Sequence, residues 1–555
     1  MARSRAERTD RGATPVRAGR WTGLAAAGLL LVALLTTGCP VGPNYQRPEI
    51  AMPDAYRGQL GPSEAASLAD LGWWQVFGDP ILQGLIEDAL QNNYDLAAAV
   101  QAVEQARSLV GVARAPLFPQ VSYEGGAQRG KQFVFTGDNR TFNTFLGTFN
   151  VAWEFDIWGR IRRSTEAAQG TLLATEQFRR GVMLSLVSQV AQAYFSLLEL
   201  DLELAIAQDT VTSFRDTVEL FRFRYEGGVG NKLEVDRAIG ALEETVASIP
   251  DLERQIVAFE NQLQVLTGRP PGPIARGAPL IEQKAPPSVP SGLPSQLLER
   301  RPDVIQAEDE LITSNANVGV AIANFFPQIG LTSLYGGQSV ELKDLVKTQG
   351  NIWNVAGAIA GPIFTGGQNL ETYRAQVAVF EQSKAEYYQS ILVALQDVSN
   401  VLTSQQKLRD IRAARERQVK ALQESVRLSL LRYDQGLANY YEVLEAQQQL
   451  FPAQNALAQT QRDQLNVVVQ LYLALGGGWS LSDEAWATRG VEGGAEGDAS
   501  GGTDAGAAAP AAGAAATTDP AVAVPPVIPV DDNASDAPFI TPTAPRVSKS
   551  RPAVP

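Results

Sequence analysis

Most of this chain is written twice. Phe118-Pro119-Gln120-Val121 returns as Phe326-Pro327-Gln328-Ile329, 208 residues further on. Asp95 and Asp303, Gly159 and Gly367, Tyr225 and Tyr433, and Gly268 and Gly476 repeat at the same offset. A separation held from Asp95 to Gly476 without net insertion defines two copies of one structural unit. Periods of a few tens of residues build solenoids. A period this long points instead to two equivalent staves of a larger symmetric object.

Each copy opens with a helix-period stretch, Asp95 to Arg114 and Asp303 to Asn324, and Pro119 and Pro327 end helical geometry beyond it. Two alternating segments follow. In the first copy Val121, Tyr123, Gly125 and Ala127 alternate with Gln120, Ser122, Glu124 and Gln128, and then Phe145, Phe149, Val151, Trp153 and Phe155 alternate with Thr144, Thr148, Asn150, Glu154 and Asp156. The second copy repeats this more weakly, with Ile329, Leu331 and Tyr335, then Trp353, Val355 and Ile359 opposite Asn354, Ala356 and Ala358. Aromatic groups on one side and small or polar groups on the other is the pattern of transmembrane β-strands, although a half-buried soluble hairpin reads similarly. Four such strands cannot close on themselves. An open edge in lipid leaves backbone groups unpaired at several kcal/mol each, so the pattern predicts self-association without fixing its order.

Long helical stretches come next, Arg160 to about Tyr225 and Gln368 to Tyr433. At 1.5 Å per residue each extends roughly 100 Å. Gly227 to Gly230 and Gly436 break them, and return helices run from Leu233 to Leu266 and from Tyr441 to Leu475. Being rich in Ala, Gln and Ser, these helices are expected to lack a broad apolar stripe and to suit the wall of a water-bathed tube. Each return helix is about half the length of its partner. The short helix that opens a repeat is expected to stack on its end and complete the height.

The chain holds no His and one Cys among 555 residues, at a net charge of −14. His-based acid–base catalysis and the common zinc sites are thereby removed, and so is an internal disulfide. The acidic balance disfavours nucleic acid as a partner. Gly125 to Gln132 approximates a phosphate loop, but Gln132 stands where Ser or Thr would bind magnesium, and no helix follows. No catalytic residue, metal site or cofactor is expected.

Residues 3–20 are Arg-rich, Leu24 to Leu35 is an apolar run too short to span a bilayer, and Thr36-Thr37-Gly38-Cys39 follows. This is the order of an export signal, and the lone Cys after small residues is similar to a bacterial lipobox. Cys39 is thus the expected lipid attachment site, with an ordinary signal peptide as the alternative. Pro40 leaves the usual inner-membrane retention signal absent, which points to the outer membrane.

At this level of detail the residues resemble a known family. Cys39 to Pro48, Trp73-Trp74 to Asp79-Pro80, Asn93-Tyr94-Asp95-Leu96, Leu298 to Val304 and Phe155-Asp156-Ile157-Trp158-Gly159-Arg160 occur in the order found in outer-membrane efflux lipoproteins, as does Gly361-Pro362-Ile363-Phe364. The resemblance, over about residues 39 to 480, is to TolC-like outer membrane factors paired with resistance–nodulation–division pumps. It implies a mainly α chain with a transmembrane β-barrel portion. Three protomers would give a twelve-stranded barrel, four strands each, continuing into a long periplasmic α-helical barrel in a Gram-negative bacterium. The expected organisation is a signal peptide at 1–38, a lipidated equatorial segment at 39–80 and a first repeat at 81–268. An equatorial linker at 269–293, a second repeat at 294–478, an equatorial segment at 479–491 and a disordered Ala/Gly/Pro-rich tail at 492–555 complete it.

The implied function is a passive exit duct for small molecules, with a periplasmic adaptor, an inner-membrane transporter and outer-membrane lipid as partners. Alternatives are a duct for type I protein secretion and a non-pore strut spanning the periplasm. The resemblance places periplasmic gate positions at Tyr433, Tyr441, Glu442 and Glu445. Glu442 and Glu445 lie three apart on one helical face and would form acidic rings in a threefold assembly. It also places adaptor-docking tips at Gly228, Val229, Gly230 and Asn231 and at Gly436, Leu437, Ala438 and Asn439.

Overall fold

The computed structural model describes residues 39–59, 67–133, 139–283 and 292–478. The leader at 1–38, the segment at 479–491 and the tail at 492–555 fall outside the described residues.

Four strands form one antiparallel sheet in chain order: β1 (Gln120–Phe133), β2 (Asn139–Phe155), β3 (Gln328–Ser339) and β4 (Asn351–Ala360). The sequence alternation becomes a division of faces, because directly paired residues project to the same side. Tyr123, Phe149, Tyr335 and Trp353 lie side by side across all four strands. With Val121, Val355 and Ile359 they are all more than 60% exposed on that one face. The opposite face carries Ser122, Glu124, Gln128, Asn150, Glu154, Thr332, Asn354 and Ala356, with Phe142, Leu146, Leu334 and Ile352 as its large apolar exceptions. Among the described residues the outer edges of β1 and β4 have no partner strand. The phosphate-loop look-alike lies within β1.

The helices are α1 (Pro80–Asn92), α2 (Tyr94–Arg114), α3 (Arg160–Glu226), α4 (Lys232–Leu266), α5 (Pro302–Ala323), α6 (Gln368–Asp434) and α7 (Tyr440–Ala474). Helical turns at Trp73–Val76 and Leu297–Arg300 precede α1 and α5. All four long-helix ends close alike. Leu437 N–H donates to Arg432 O at 2.9 Å and Gly436 N–H to Tyr433 O at 2.9 Å, and the same pair of bonds closes α3, α4 and α7. The glycines at these ends, Gly228, Gly436, Gly268 and Gly476, have φ of 76°, 72°, 69° and 70°, the left-handed conformation a Schellman cap requires.

The expected end-to-end stacking is present in both copies. In the first, Asn93 caps α2 through Leu96 N–H at 2.9 Å while its Nδ2 donates to Leu266 O at 3.1 Å, joining α4 to α2. In the second, Arg301 occupies the place of Asn93. It donates to Ala474 O at 3.2 Å, to Asp397 Oδ2 at 3.1 Å and to Asp303 Oδ2 at 2.7 Å while only 8% exposed.

One expectation needs correction. Between Met183 and Leu200 every residue of α3 is buried except Ser185, Gln189, Gln192 and Ser196, so α3 is apolar nearly all round there. Trp73, Leu82, Ile86, Leu297, Leu311, Tyr387 and Tyr472 pack with this stretch in the largest core cluster. A helix apolar on all sides is one enclosed by neighbours. Among the described residues α3 alone has a window apolar enough to cross a bilayer, but 67% of that window is buried in the protein.

Candidate functional site

Three regions of the chain hold the residues singled out by sequence: the segment that begins at Cys39, the hairpin tips and the sheet. The N-terminal segment lies as a strap along the helices. Cys39 is exposed at its start. Beside it Pro40 packs onto Gly159, where a Cβ would come within 2.5 Å of the proline Cβ, and Val41 N–H donates to Trp158 O at 3.0 Å. Cys39 therefore sits where β2 passes into α3, at the boundary between the apolar sheet and the helices.

Further along, Arg163 of α3 is only 3% exposed and holds the strap through Val41 O at 3.3 Å, Gly42 O at 3.2 Å and Asn44 Oδ1 at 2.8 Å. Glu166 pairs with the same guanidinium at 2.8 Å. Glu308 of α5, also buried, accepts from Tyr45 Oη at 3.0 Å and from Arg47 Nε and Nη2 at 2.6 Å each. Burial and the Glu308 charge push the Tyr45 phenol well above its usual range. Sequence reading missed Arg163 and Glu308. Glu308 stands among Val304, Ile305, Leu311 and Ile312 on its helix face, a signal that becomes interpretable only once the strap crosses it, whereas Arg163, beside Arg160 and Glu166, gives no such signal.

At the hairpin tips the gate candidates separate into two groups. Tyr433 is 6% exposed and packs edge-on against Phe221 at 5.6 Å and Tyr440 at 6.2 Å, with the Arg224 guanidinium 4.8 Å from its ring centre. It belongs to an enclosed cluster with Phe214, Val218, Val443 and Leu444 that holds α3, α6 and α7 together. Burial raises the pKa of both Tyr433 and Tyr440. Tyr441, Glu442 and Glu445 instead lie exposed on α7. Glu442 pairs with Arg432 across the hairpin at 3.5 Å, and Glu445 accepts from Gln449 at 3.4 Å. Arg432, Arg224, Phe221 and Tyr440 were not found from sequence, although aromatic and basic residues crowd both flanks of the turn.

Val229 and Leu437 project at the two tips, 73% and 68% exposed. Gly228 and Gly436 supply the turns beside them, and Gly230 leaves no room for a Cβ, which would lie 2.7 Å from Tyr225 N. Asn231 caps α4 by accepting from Leu233 N–H at 3.0 Å, whereas Asn439 starts α7 without a side-chain cap. Ala438 completes the second turn.

A duplicated unit pairing an open, one-sidedly apolar sheet with long helical hairpins defines a class of membrane duct, and known proteins agree. Residues 85–269 and 293–477, themselves 208 apart, each match the Outer membrane efflux protein family, and the chain belongs to it. It is 34% identical over 455 residues to the cation efflux system protein CusC of Escherichia coli O6:H1, covering 81% of this chain and 97% of that protein. It is 35% identical over 463 residues to the probable efflux pump outer membrane protein TtgC of Pseudomonas putida, covering 81% and 95%. Among solved structures, the open state of the Neisseria gonorrhoeae MtrE outer membrane channel superposes with a TM-score of 0.71 at 30% identity, covering 80% of this chain and 99% of that one. The outer-membrane channel OprN gives 0.73 at 29% identity, covering 80% and 100%. The fold is that of the trimeric outer-membrane efflux channels, a β-barrel continued by an α-helical barrel.

Proposed function

We propose that three copies of this chain form the passive outer-membrane exit duct of a tripartite efflux system, receiving small molecules from an inner-membrane resistance–nodulation–division transporter through a periplasmic adaptor. The observation that carries this reading is the sheet. Its apolar face needs lipid, its polar face needs water, and its two free edges need further copies. No step of chemistry is assigned to the chain; the energy comes from the pump.

In this reading Cys39 carries the acyl anchor. Its place at the sheet-to-helix boundary lets a chain enter the inner leaflet without displacing the strap. Tyr441, Glu442 and Glu445 narrow and charge the periplasmic end, while Tyr433 stands behind them as the packing anchor that fixes α6 against α7. Val229 and Leu437 are the apolar knobs of the adaptor-docking tips. Acidic rings in a constriction favour cations. Single-channel recording of the full-length protein in planar bilayers tests the duct: small, cation-leaning conductance is expected, rising and losing its cation preference in Glu445→Ala. Electrical silence of inserted, folded trimers would leave a strut and no duct.

A further inference from the structure

The duplication extends to hydrogen-bond register, and that allows the seam between neighbouring copies to be derived. In the first hairpin Gln120 pairs with Ala152, and in the second Gln328 pairs with Ala360, both partners displaced by 208. The two hairpins are therefore built alike. Between them β2 meets β3 with Thr148 opposite Gly336, Asn150 opposite Leu334 and Ala152 opposite Thr332. This junction joins the closing strand of one repeat to the opening strand of the next. The free edges of β4 and β1 are the same two strand types, one repeat further round the ring.

We infer that β4 of one copy pairs with β1 of the next in the β2–β3 register, so that Ala356 faces Gln128, Ala358 faces Gly126 and Ala360 faces Glu124 of the neighbouring copy. Shifting the β2 residues forward and the β3 residues back by 208 gives these pairs directly. The assignment rests on the trimeric-duct reading and goes beyond it by fixing the seam residue by residue. Two further observations fit it. On the inner face the seam sets the small side chains of Ala356, Ala358 and Ala360 against Gln128, Gly126 and Glu124, so each long polar group of one copy meets a methyl group of the next rather than another long side chain. On the outer face it sets Trp353 opposite Lys131, where the ammonium can lie over the indole.

The register also sets the strand tilt. Gln120 reaches Thr332 across β2, four residues beyond its equivalent Gln328. Each hairpin is thus offset by four residues from the one before. If the seam repeats that step, the offset is two residues per strand all round the barrel. With a rise of about 3.4 Å per residue and strands about 4.8 Å apart, this corresponds to a tilt of roughly 55°, steeper than the usual 35–45°. An apolar band about 25 Å tall then needs about 13 residues per strand. The strands contain 14, 17, 12 and 10.

Oxidative cross-linking of the full-length protein in outer-membrane vesicles tests the seam, with Cys39 retained in every variant. The pair Ala356→Cys with Gln128→Cys should give covalent trimers on denaturing, non-reducing gels. So should the second pair, Ala358→Cys with Gly126→Cys, where position 126 has open space for a side chain. A slip of two residues keeps the face but separates the Cα atoms to about 8 Å, beyond the roughly 7 Å a disulfide can bridge. Ala356→Cys with Gly126→Cys, or with Gly130→Cys, should therefore form at least tenfold less cross-link. Stronger cross-linking of a slipped pair overturns the register while leaving the trimer standing. Silence of every pair in a sample that runs as a trimer unheated overturns the β4–β1 seam. A sample that is monomeric before heating removes the trimeric reading as well.

Discussion

Arg163 offers a direct measure of how firmly the strap that begins at Cys39 is held. Replacing it with Ala removes three hydrogen bonds to the strap, those to Val41 O, Gly42 O and Asn44 Oδ1. A hydrogen bond from a charged donor contributes roughly 1.5–3 kcal/mol net. Taking about 1 kcal/mol for each, because the freed strap oxygens regain water, gives about 3 kcal/mol, or roughly a hundredfold in the local opening equilibrium. The reporter is the Val41 amide, bound to Trp158 O at 3.0 Å and so protected only while the strap is seated. Hydrogen exchange read by mass spectrometry on peptides spanning residues 40–48 should quicken by about two orders of magnitude, with peptides from α6 unchanged. If the variant folds and those peptides exchange within about threefold of the parent, Arg163 does not hold the strap.

Other substitutions probe the faces, the buried charges and the joints. Trp353→Arg places a charge on the apolar face near the start of β4 and should cost about 1–2 kcal/mol, between the interfacial and midplane values, whereas Asn354→Arg on the opposite face should leave stability nearly unchanged; urea unfolding from lipid vesicles separates the two. Glu199, 3% exposed, is pushed from 4.5 up to about 8 by burial and by the adjacent Glu203, against the pull of Arg462. The folded protein then keeps a proton that the unfolded chain has released between those two values. This group's contribution to stability is present below the lower value and declines as pH rises to the upper one. Melting curves at pH 5 and pH 8 should differ less in Glu199→Gln than in the parent, and an unchanged difference would exclude Glu199 as its source. Arg301→Ala should destabilise by about 2 kcal/mol, because Ala474 O loses its donor while the half-exposed Asp303 and Asp397 regain water, against about 1 kcal/mol for Asn93→Ala, which loses a cap; thermal unfolding ranks them.

Much of the architecture could be read from the sequence because its signals are local. The Gly-marked ends of α3, α4, α6 and α7 fall within a residue of where the glycines and periodicity place them. The division of sheet faces follows from alternation alone. The burial of α3 from Met183 to Leu200 was not legible, since its enclosure depends on α1, α5 and α7, which arrive from distant parts of the chain. Tyr433 illustrates the same limit at the tip. Nothing in its neighbours in sequence tells an exposed tyrosine from one enclosed by Phe221 and Tyr440, and the contact across the hairpin decides it. Arg163 and Glu308 needed the strap's path, which a run of loop residues does not disclose.

The two joints between stacked helices differ in chemistry. One is fastened by the neutral amide of Asn93, the other by a guanidinium clamped between two carboxylates. In a closed ring of three copies these fastenings alternate, so what the backbone repeats six times the chemistry repeats only three. Added salt screens the charged joints and leaves the amide joints alone, so a ring of six similar joints answers it with threefold rather than sixfold symmetry.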